Sequence, residues 1–451
     1  MSAKPRSEFT CTECGATFAK WAGKCTNCGN WNTLVETVSA SEAAGKNALA
    51  SAKVSGKKLS YVNIGTIEPA ESKARLTTGF PDLDIVLGGG ILKGSVTLLT
   101  GQPGIGKSTL LMQICAKVAK TCPVLYISGE ESAGQVKLRA VRLGASGDNL
   151  SFASSTSGND IAKTIESAEF DLVIVDSIQT LSLAEIASAP GGVSQVTNCG
   201  NLIIRAAKAS DTAVVIVGHV TKEGTLAGPK VLEHLVDVVV NFEGDRYGGF
   251  KTVRAVKNRF GSTSEVAIFE MAESGLKEVK NPSAALLAER QNTDGSIILA
   301  TLEGTRPLLV EIQALASKTN FGYPNRTASG FDLNRLKLLI AVLERRTKLN
   351  LSEQDIFINV VGGIKLQDSG ADLAVCLAIA SAVAGRKLSE DYVVFGEVGL
   401  GGEIRSAFRP DQRIAEAKKL GFRRAIAPAT CKDKFVIPVK DLRQTLIDHV
   451  K

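Results

Sequence analysis

Nine consecutive residues carry the clearest chemistry in this chain: Gly101, Gln102, Pro103, Gly104, Ile105, Gly106, Lys107, Ser108 and Thr109. They fit G-x-x-x-x-G-K-[ST], a loop that cradles nucleotide phosphates. Its glycines let backbone N–H groups close around phosphate oxygens, and the helix that follows adds positive potential. In such a loop Lys107 reaches the β/γ-phosphates and Ser108 holds Mg²⁺. The cation needs a second acid. Asp176 closes the apolar run Leu172-Val-Ile-Val, a position from which a carboxylate holds Mg²⁺ directly or through water. A general base for water belongs at the end of a neighbouring strand. Tyr126-Ile-Ser-Gly-Glu130-Glu131 offers two carboxylates there. We favour Glu130 as base; the alternative is that both acids simply suit a helix N-terminus. His219 follows the run Ala213–Gly218. A polar side chain at that edge can sense the γ-phosphate, and the other reading is a structural histidine.

A second constellation is Cys11, Cys14, Cys25 and Cys28, spaced C-x₂-C-x₁₀-C-x₂-C. Each pair forms a knuckle with two thiolates on one side of a cation, and two knuckles complete a tetrahedron around zinc. Four thiolates leave no open position, so the metal would be structural. Two disulfides are the alternative, but they suit a secreted chain.

Two further stretches are basic. The glycine-punctuated loop Val220–Lys230 carries Lys222 and Lys230 and reads either as a nucleic-acid contact or as a solvated loop. Val256-Lys-Asn-Arg-Phe-Gly261 places Lys257 and Arg259 on alternate residues of an expected strand, which sends both to one side. From spacing alone that is a solvated strand face.

These residues need a scaffold. Ser95–Thr100 is a β-branched apolar run that reads as a buried strand, and Ser108–Ala119 has helical apolar spacing. Between 62 and 280 such strands alternate with helical patterns, and the near-continuous runs at 124–128, 172–176 and 213–218 suit a sheet covered on both faces. Residues 1–36 form a small Cys-rich module, and 37–61, rich in Ala, Ser, Gly and Lys, read as a flexible linker. The pattern resets at Asn281-Pro282. Region 281–451 has expected strands at 295–302, 355–361 and 392–395 and helices at 334–346, 372–384 and 411–420. The fold class is α/β.

Composition bounds the rest. The 451 residues are 44% hydrophobic, enough for several cores, and no apolar run approaches the ~18 residues of a membrane span. No hydrophobic leader opens the chain, so a cytoplasmic location is expected. A net charge of +7 permits an anionic partner without requiring one. Aromatics, at 5%, argue against a surface built mainly on base stacking.

Assembled, these motifs resemble the RadA (Sms) family of bacterial recombination and repair ATPases over almost the full length. The likeness rests on the four-Cys module with Lys20-Trp21 and Cys28-Gly29-x-Trp31-Asn32-Thr33-Leu34-Val35-Glu36, on Leu87-Gly-Gly-Gly90, and on the phosphate loop. Ser128-Gly-Glu-Glu-Ser132, Asp176-Ser-Ile-Gln-Thr180, Gly218-His-Val-Thr-Lys-Glu-Gly224 and Lys257-Asn-Arg-Phe-Gly261 complete it. The resemblance implies a RecA-like P-loop core that hydrolyses ATP with Mg²⁺ and forms a homohexameric ring on single-stranded and branched DNA. It further implies branch migration of recombination intermediates, a recombinase of the RecA type as partner, and no membrane. It turns Lys257 and Arg259 into contacts to a neighbouring subunit's ATP, and makes Leu183–Thr197 a second DNA loop.

Region 281–451 resembles the proteolytic domain of Lon through Gly362-Gly363, Gly396–Ile404 and Lys418–Phe422. Lon-type catalysis needs a serine whose proton a lysine accepts. Here Gly370 stands at the serine position, within Ser369-Gly-Ala-Asp372, and Asp411 at the lysine position. The region is therefore expected to be an α+β scaffold without peptidase activity. The rival functions are an ATP-dependent peptidase and an ATP-switched DNA-binding module without motor activity.

Overall fold

The computed structural model describes residues 7–11, 16–31, 33–38, 61–66, 75–145, 147–219, 228–244, 250–319 and 322–450. Cys14, Lys222 and most of the linker lie outside them. The chain divides into two compact units, Met1–Glu68 and Pro69–Lys451.

In the smaller unit β1 (Ser7–Cys11) pairs antiparallel with both β2 (Thr17–Phe18) and β3 (Leu34–Val38). Its core is only Cys11, Cys25 and Leu34, with Phe9 and Phe18 packed against them. So little apolar burial does not hold a fold by itself.

The larger unit begins with a two-stranded ribbon, β4 (Arg75–Leu76) and β5 (Ile91–Leu92). A sheet of nine strands follows: β6 (Val96–Gly101), β7 (Val124–Ser128), β8 (Leu150–Ser154), β9 (Leu172–Asp176), β10 (Ala213–His219), β11 (Val238–Gly244), β12 (Lys251–Asn258), β13 (Val266–Ala272) and β14 (Gly275–Glu278). Their order is β14-β13-β12-β11-β6-β10-β9-β7-β8. The six strands from β11 to β8 run parallel, and β12 to β14 continue antiparallel. Alternation along β6 explains the covering of both faces. Leu99 packs with the helix Lys107–Val118, whereas Val96 and Leu98 pack with the helices Gly158–Glu166 and Val193–Ser210.

A second sheet has the order β17-β18-β16-β15-β19-β22-β23. It comprises β15 (Ser296–Glu303), β16 (Arg306–Lys318), β17 (Arg326–Ser329), β18 (Gln354–Val360), β19 (Tyr392–Val394), β22 (Arg424–Pro428) and β23 (Val436–Val439). The short pair β20 (Glu397–Val398) and β21 (Ile404–Arg405) stands beside it. The helix Asp372–Ala384 is apolar all round and buried through Ser381, as a helix in the middle of a core must be. The 13-residue β16 lies in a stretch where we expected no strand.

The two sheets share a core, since Val266 and Ile268 of β13 pack in one cluster with Leu286 and β15. Polar ties reinforce this. Arg254 pairs with Glu303 and Arg306 with Asp82, and Glu278 accepts from the backbone N–H of Asp82 at 2.8 Å.

Candidate functional site

Sheet order assembles the first site. β6 lies between β10 and β11, with His219 in register with Gly101. β7 and β9 pair with Ser128 opposite Asp176, so Glu130, two residues on, arrives beside the acid that closes β9. All these groups leave the sheet at the C-terminal ends of parallel strands, where α/β proteins bind ligands.

Between β6 and the helix Lys107–Val118 the loop turns through Gly104 and Gly106, at φ of 77° and 117°. At Gly106 a Cβ would also come within 3.0 Å of Met271. Lys107 is 4% exposed and donates to the carbonyls of Gly101 (2.9 Å) and Gln102 (3.1 Å). Burial pushes its ammonium down to about 8, against the opposing pull of Asp176 and Glu130. Ser108 Oγ donates to Asp176 Oδ2 at 2.8 Å. An alcohol and a carboxylate held together beside a phosphate-binding lysine are the hard oxygen donors that suit Mg²⁺.

The two candidate bases separate here. Glu131 is tied into a two-pronged ion pair with Arg139. Glu130 is held by the Ser177 hydroxyl, which donates to it at 2.5 Å. His219 Nε2 stands 3.5 Å from Glu130, too far for a good hydrogen bond. Both its ring nitrogens are shielded from solvent and have no hydrogen-bond partner among the described residues. Burial, then the charge of Lys107, lower its pKa, so the ring is neutral at pH 7. Gln179 donates to the His219 carbonyl at 3.4 Å while its Oε1 also lacks a partner.

The structure therefore brings Lys107, Ser108, Glu130, Asp176 and His219 together. Three residues absent from the sequence-based site join them. Ser177 and Gln179 lie in the Asp176–Thr180 motif, but motif membership alone does not say what they touch. Tyr126, whose hydroxyl donates to Asp176 Oδ2 at 2.6 Å, offered no signal beyond an aromatic residue in a buried strand.

Lys257 and Arg259 have their partners elsewhere. Lys257 Nζ donates to the carbonyls of Glu233 (2.8 Å), His234 (3.1 Å) and Val236 (2.8 Å). Arg259 pairs with Asp237 at 3.1 Å. Val256 is an extra residue in the β11–β12 ladder, which resumes with Lys257 opposite Val239 and Asn258 opposite Val238; Arg259, just beyond β12, donates its N–H to the Asp237 carbonyl at 3.2 Å. Lys230 is exposed on the short helix Gly228–Glu233. In the stretch 183–197 the buried Gln195 bonds Leu183, Ile186 and Ser188, and residues 193–197 already belong to a helix.

In the smaller unit, the Sγ atoms of Cys11, Cys25 and Cys28 lie within 4.8 Å of one another. Cys11 and Cys28 are 3.6 Å apart, far beyond a disulfide bond and close to the ~3.8 Å expected across a tetrahedron with Zn–S of ~2.3 Å. The second knuckle is shaped by Gly29 N–H donating to Cys25 O (2.8 Å) and Cys25 N–H to Asn30 O (2.9 Å). These three thiols fit zinc; Cys14, the fourth expected ligand, is outside the described residues.

In region 281–451, Ser369 Oγ donates to Glu397 at 3.0 Å. Gly370 adjoins Arg413, a fully buried cation paired with Asp368 and bonded to the carbonyls of Ala300 (2.7 Å) and Phe408 (2.9 Å). A Cβ at Gly370 would lie 3.1 Å from the Arg413 guanidinium and 3.0 Å from Ala407. The space of a serine side chain is thus pressed by an arginine. Asp411 is exposed on the same helix as Arg413.

A P-loop ATPase with a zinc ribbon and an α+β Lon-like region is the class these observations define. Family models agree: an AAA domain matches residues 67–225, a rubredoxin metal-binding domain residues 9–36, and the ChlI subunit of Mg-chelatase residues 334–431. The chain is 48% identical to the DNA repair protein RadA of Pseudomonas aeruginosa, across 94% of this chain and 93% of that protein. It is 48% identical to the RadA of Bacillus subtilis (97% and 95% covered) and 42% identical to that of Aquifex aeolicus (98% and 99%). The chain belongs to the RadA family of DNA repair proteins, and it is an ATP-hydrolysing member with a zinc-ribbon module. Among the described residues no helix is long and apolar enough to cross a membrane.

Proposed function

We propose that this chain is a cytoplasmic, DNA-dependent ATPase motor. On this reading it works as a homohexameric ring on single-stranded and branched DNA, promotes branch migration and acts beside a recombinase of the RecA type. The observation that carries the reading is the hydrolysis constellation at the strand ends: Lys107, the Ser108–Asp176 pair and the Ser177-held Glu130 around a His219 whose ring nitrogens have no hydrogen-bond partner among the described residues. Together with family membership, it supports each role as follows.

Bound nucleotide takes the Lys107 ammonium from its two carbonyl partners to the β/γ-phosphates. Ser108 and Asp176 would hold Mg²⁺, which supplies charge neutralisation on the phosphates. Glu130, oriented by Ser177, takes the proton of the attacking water. His219, neutral, donates or accepts at the γ-phosphate edge and passes the nucleotide state to the segment after it, which carries Lys222 and Lys230 toward DNA. Lys257 and Arg259 serve the ATP of the neighbouring subunit, as the two cations of a heterologous ring interface. We keep the four-part division: zinc module 1–36, linker 37–61, ATPase 62–280 and a non-proteolytic Lon-like region 281–451.

Unwinding of forked DNA tests the motor. Strand separation should require hydrolysable ATP and be absent with a non-hydrolysable analogue. Equal separation with both would reduce the protein to an ATP-switched binding module.

A further inference from the structure

The chain has two tryptophans. Both stand on the zinc unit and both are exposed, Trp21 by 59% and Trp31 by 70%. They are neighbours: a point at the Cβ position of Gly23 lies 3.8 Å from the Trp21 ring and 3.7 Å from the Trp31 ring. The second cysteine knuckle holds Trp31 in place. Lys24 and Trp31 bridge across the turn that contains Cys25 and Cys28, and Lys24 Nζ stands 5.7 Å from the centre of the Trp31 ring. Lys20, next to Trp21 in sequence, is exposed. Between Glu13 and Glu36 the chain carries these two lysines and no acid.

Exposed indole rings side by side are costly in water and mark a contact surface. The partner's chemistry follows from the surroundings. Flat π-faces accept any nucleobase, and cations in a stretch of sequence that carries no acid suit a phosphate backbone. The low aromatic content of the chain argues against a broad stacking surface, but it is no obstacle to a platform of two rings. We infer that Trp21 and Trp31, with Lys20 and Lys24, form a base-stacking platform for single-stranded nucleic acid on the zinc unit. The platform does not depend on the ring or motor assignment.

The full-length chain provides its own probe, because tryptophan emission comes only from this surface. A short oligo(dT) should quench that emission saturably, in wild type and equally in the hydrolysis-deficient Lys107→Ala chain. By anisotropy of labelled oligo(dT), Trp21→Ala/Trp31→Ala should bind at least about 30-fold more weakly. Trp21→Phe/Trp31→Phe, which keeps two stacking faces, should stay within about threefold of wild type. Lys24→Ala should flatten the salt dependence by somewhat under one unit of slope. Unchanged zinc content in each variant certifies the fold of the unit. The proposal fails if oligo(dT) leaves tryptophan emission unchanged, or if the double alanine variant with its zinc intact binds as wild type does. It also fails if the emission responds only to a recombinase-type protein and not to free DNA, which would assign the surface to a protein. Quenching that persists when unwinding is lost would separate this platform from the motor reading.

Discussion

Two places in the larger unit bury charge, and they are finished differently. Around Lys107 the polar groups are left open. Its ammonium has only two carbonyl partners, and the ring nitrogens of His219 and the Gln179 amide oxygen have none among the described residues. Around Ser369 the charges are closed on one another. Asp368 is paired with Arg413 and bonded by Thr301 and the Gly370 N–H, and Asp372 is paired with Arg335 and with the N–H of Val398. Among the described residues only Nη2 of Arg413 lacks a partner there. Buried polar groups without partners cost folding free energy. A chain keeps them where something else completes them, so the first cluster is built to receive a ligand. The second is built to stand alone, although it still borders a cleft of about 310 Å³ that includes Ser369 and Glu397. In the Lon-like region a cleft thus stands beside a closed ion pair.

The largest effects should fall on the open cluster. Lys107→Ala should reduce hydrolysis by at least about 10²–10³-fold, the size of losing one charge-stabilising donor, without lowering the thermal transition. Turnover within twofold of wild type would remove the basis for the comparison. Arg259→Ala should be as severe, in the ~10³–10⁵ range of an arginine finger, yet leave nucleotide binding intact. Mixing the two inactive chains tests where Arg259 acts. Interfaces that join an intact phosphate loop to intact cations should recover hydrolysis, whereas mixed rings with no recovery at any ratio would show that the open cluster is complete within one chain.

The closed cluster should respond in stability instead. Arg413→Ala strands Asp368 and should cost about 3–5 kcal/mol, with hydrolysis per folded molecule largely kept. Its pH dependence has a definite sign. Burial alone would push the Asp368 carboxyl up, but Arg413, Gly370 N–H and Thr301 hold it below the usual range. In wild type its contribution is therefore present above the ordinary carboxylate pKa and lost as pH falls below it. Without Arg413 burial is opposed only by the Gly370 N–H and Thr301, and the carboxyl takes up a proton more readily. The deficit in melting temperature relative to wild type should be largest at neutral pH and shrink toward about pH 5. A pH-independent deficit would mean that Arg413 matters only as packing.

The smallest effect is the most pointed. Gly370→Ser restores the missing hydroxyl, but its Cβ presses on Arg413 and Ala407. A destabilisation of about 1–3 kcal/mol is expected, with no cleavage of unfolded protein or peptide, with or without ATP. Wild-type or variant peptidase activity, or labelling of Ser369 by a serine-directed covalent probe, would show that the second cluster is not closed.

How much of this was legible beforehand varies with the distance over which each feature is encoded. The phosphate loop spans nine residues and the four cysteines eighteen, so residue type and spacing alone state their chemistry. Asp176 was legible because a strand buried on both faces reads as an unbroken apolar run, and a carboxylate ending one stands out. Glycine at position 370 was likewise visible as the loss of a nucleophile. The preference for Glu130 over Glu131 had no physical reason in the sequence; what distinguishes the two carboxylates is that Ser177 and Arg139 reach them from other elements. The hold of Tyr126 on Asp176 was not legible either; it exists because β7 pairs with β9 across fifty residues of chain. The partners of Lys257 and Arg259, carbonyls of 233–236 and the Asp237 carboxylate, come from the segment before β11, which alternation along β12 does not name. The arginine pressed against Gly370 comes from a helix forty residues further on. Local pattern determines which groups a segment offers and which face it buries. Which offers meet is set by sheet order, register and helix packing, because those depend on the free energy of the whole core and not on any one segment.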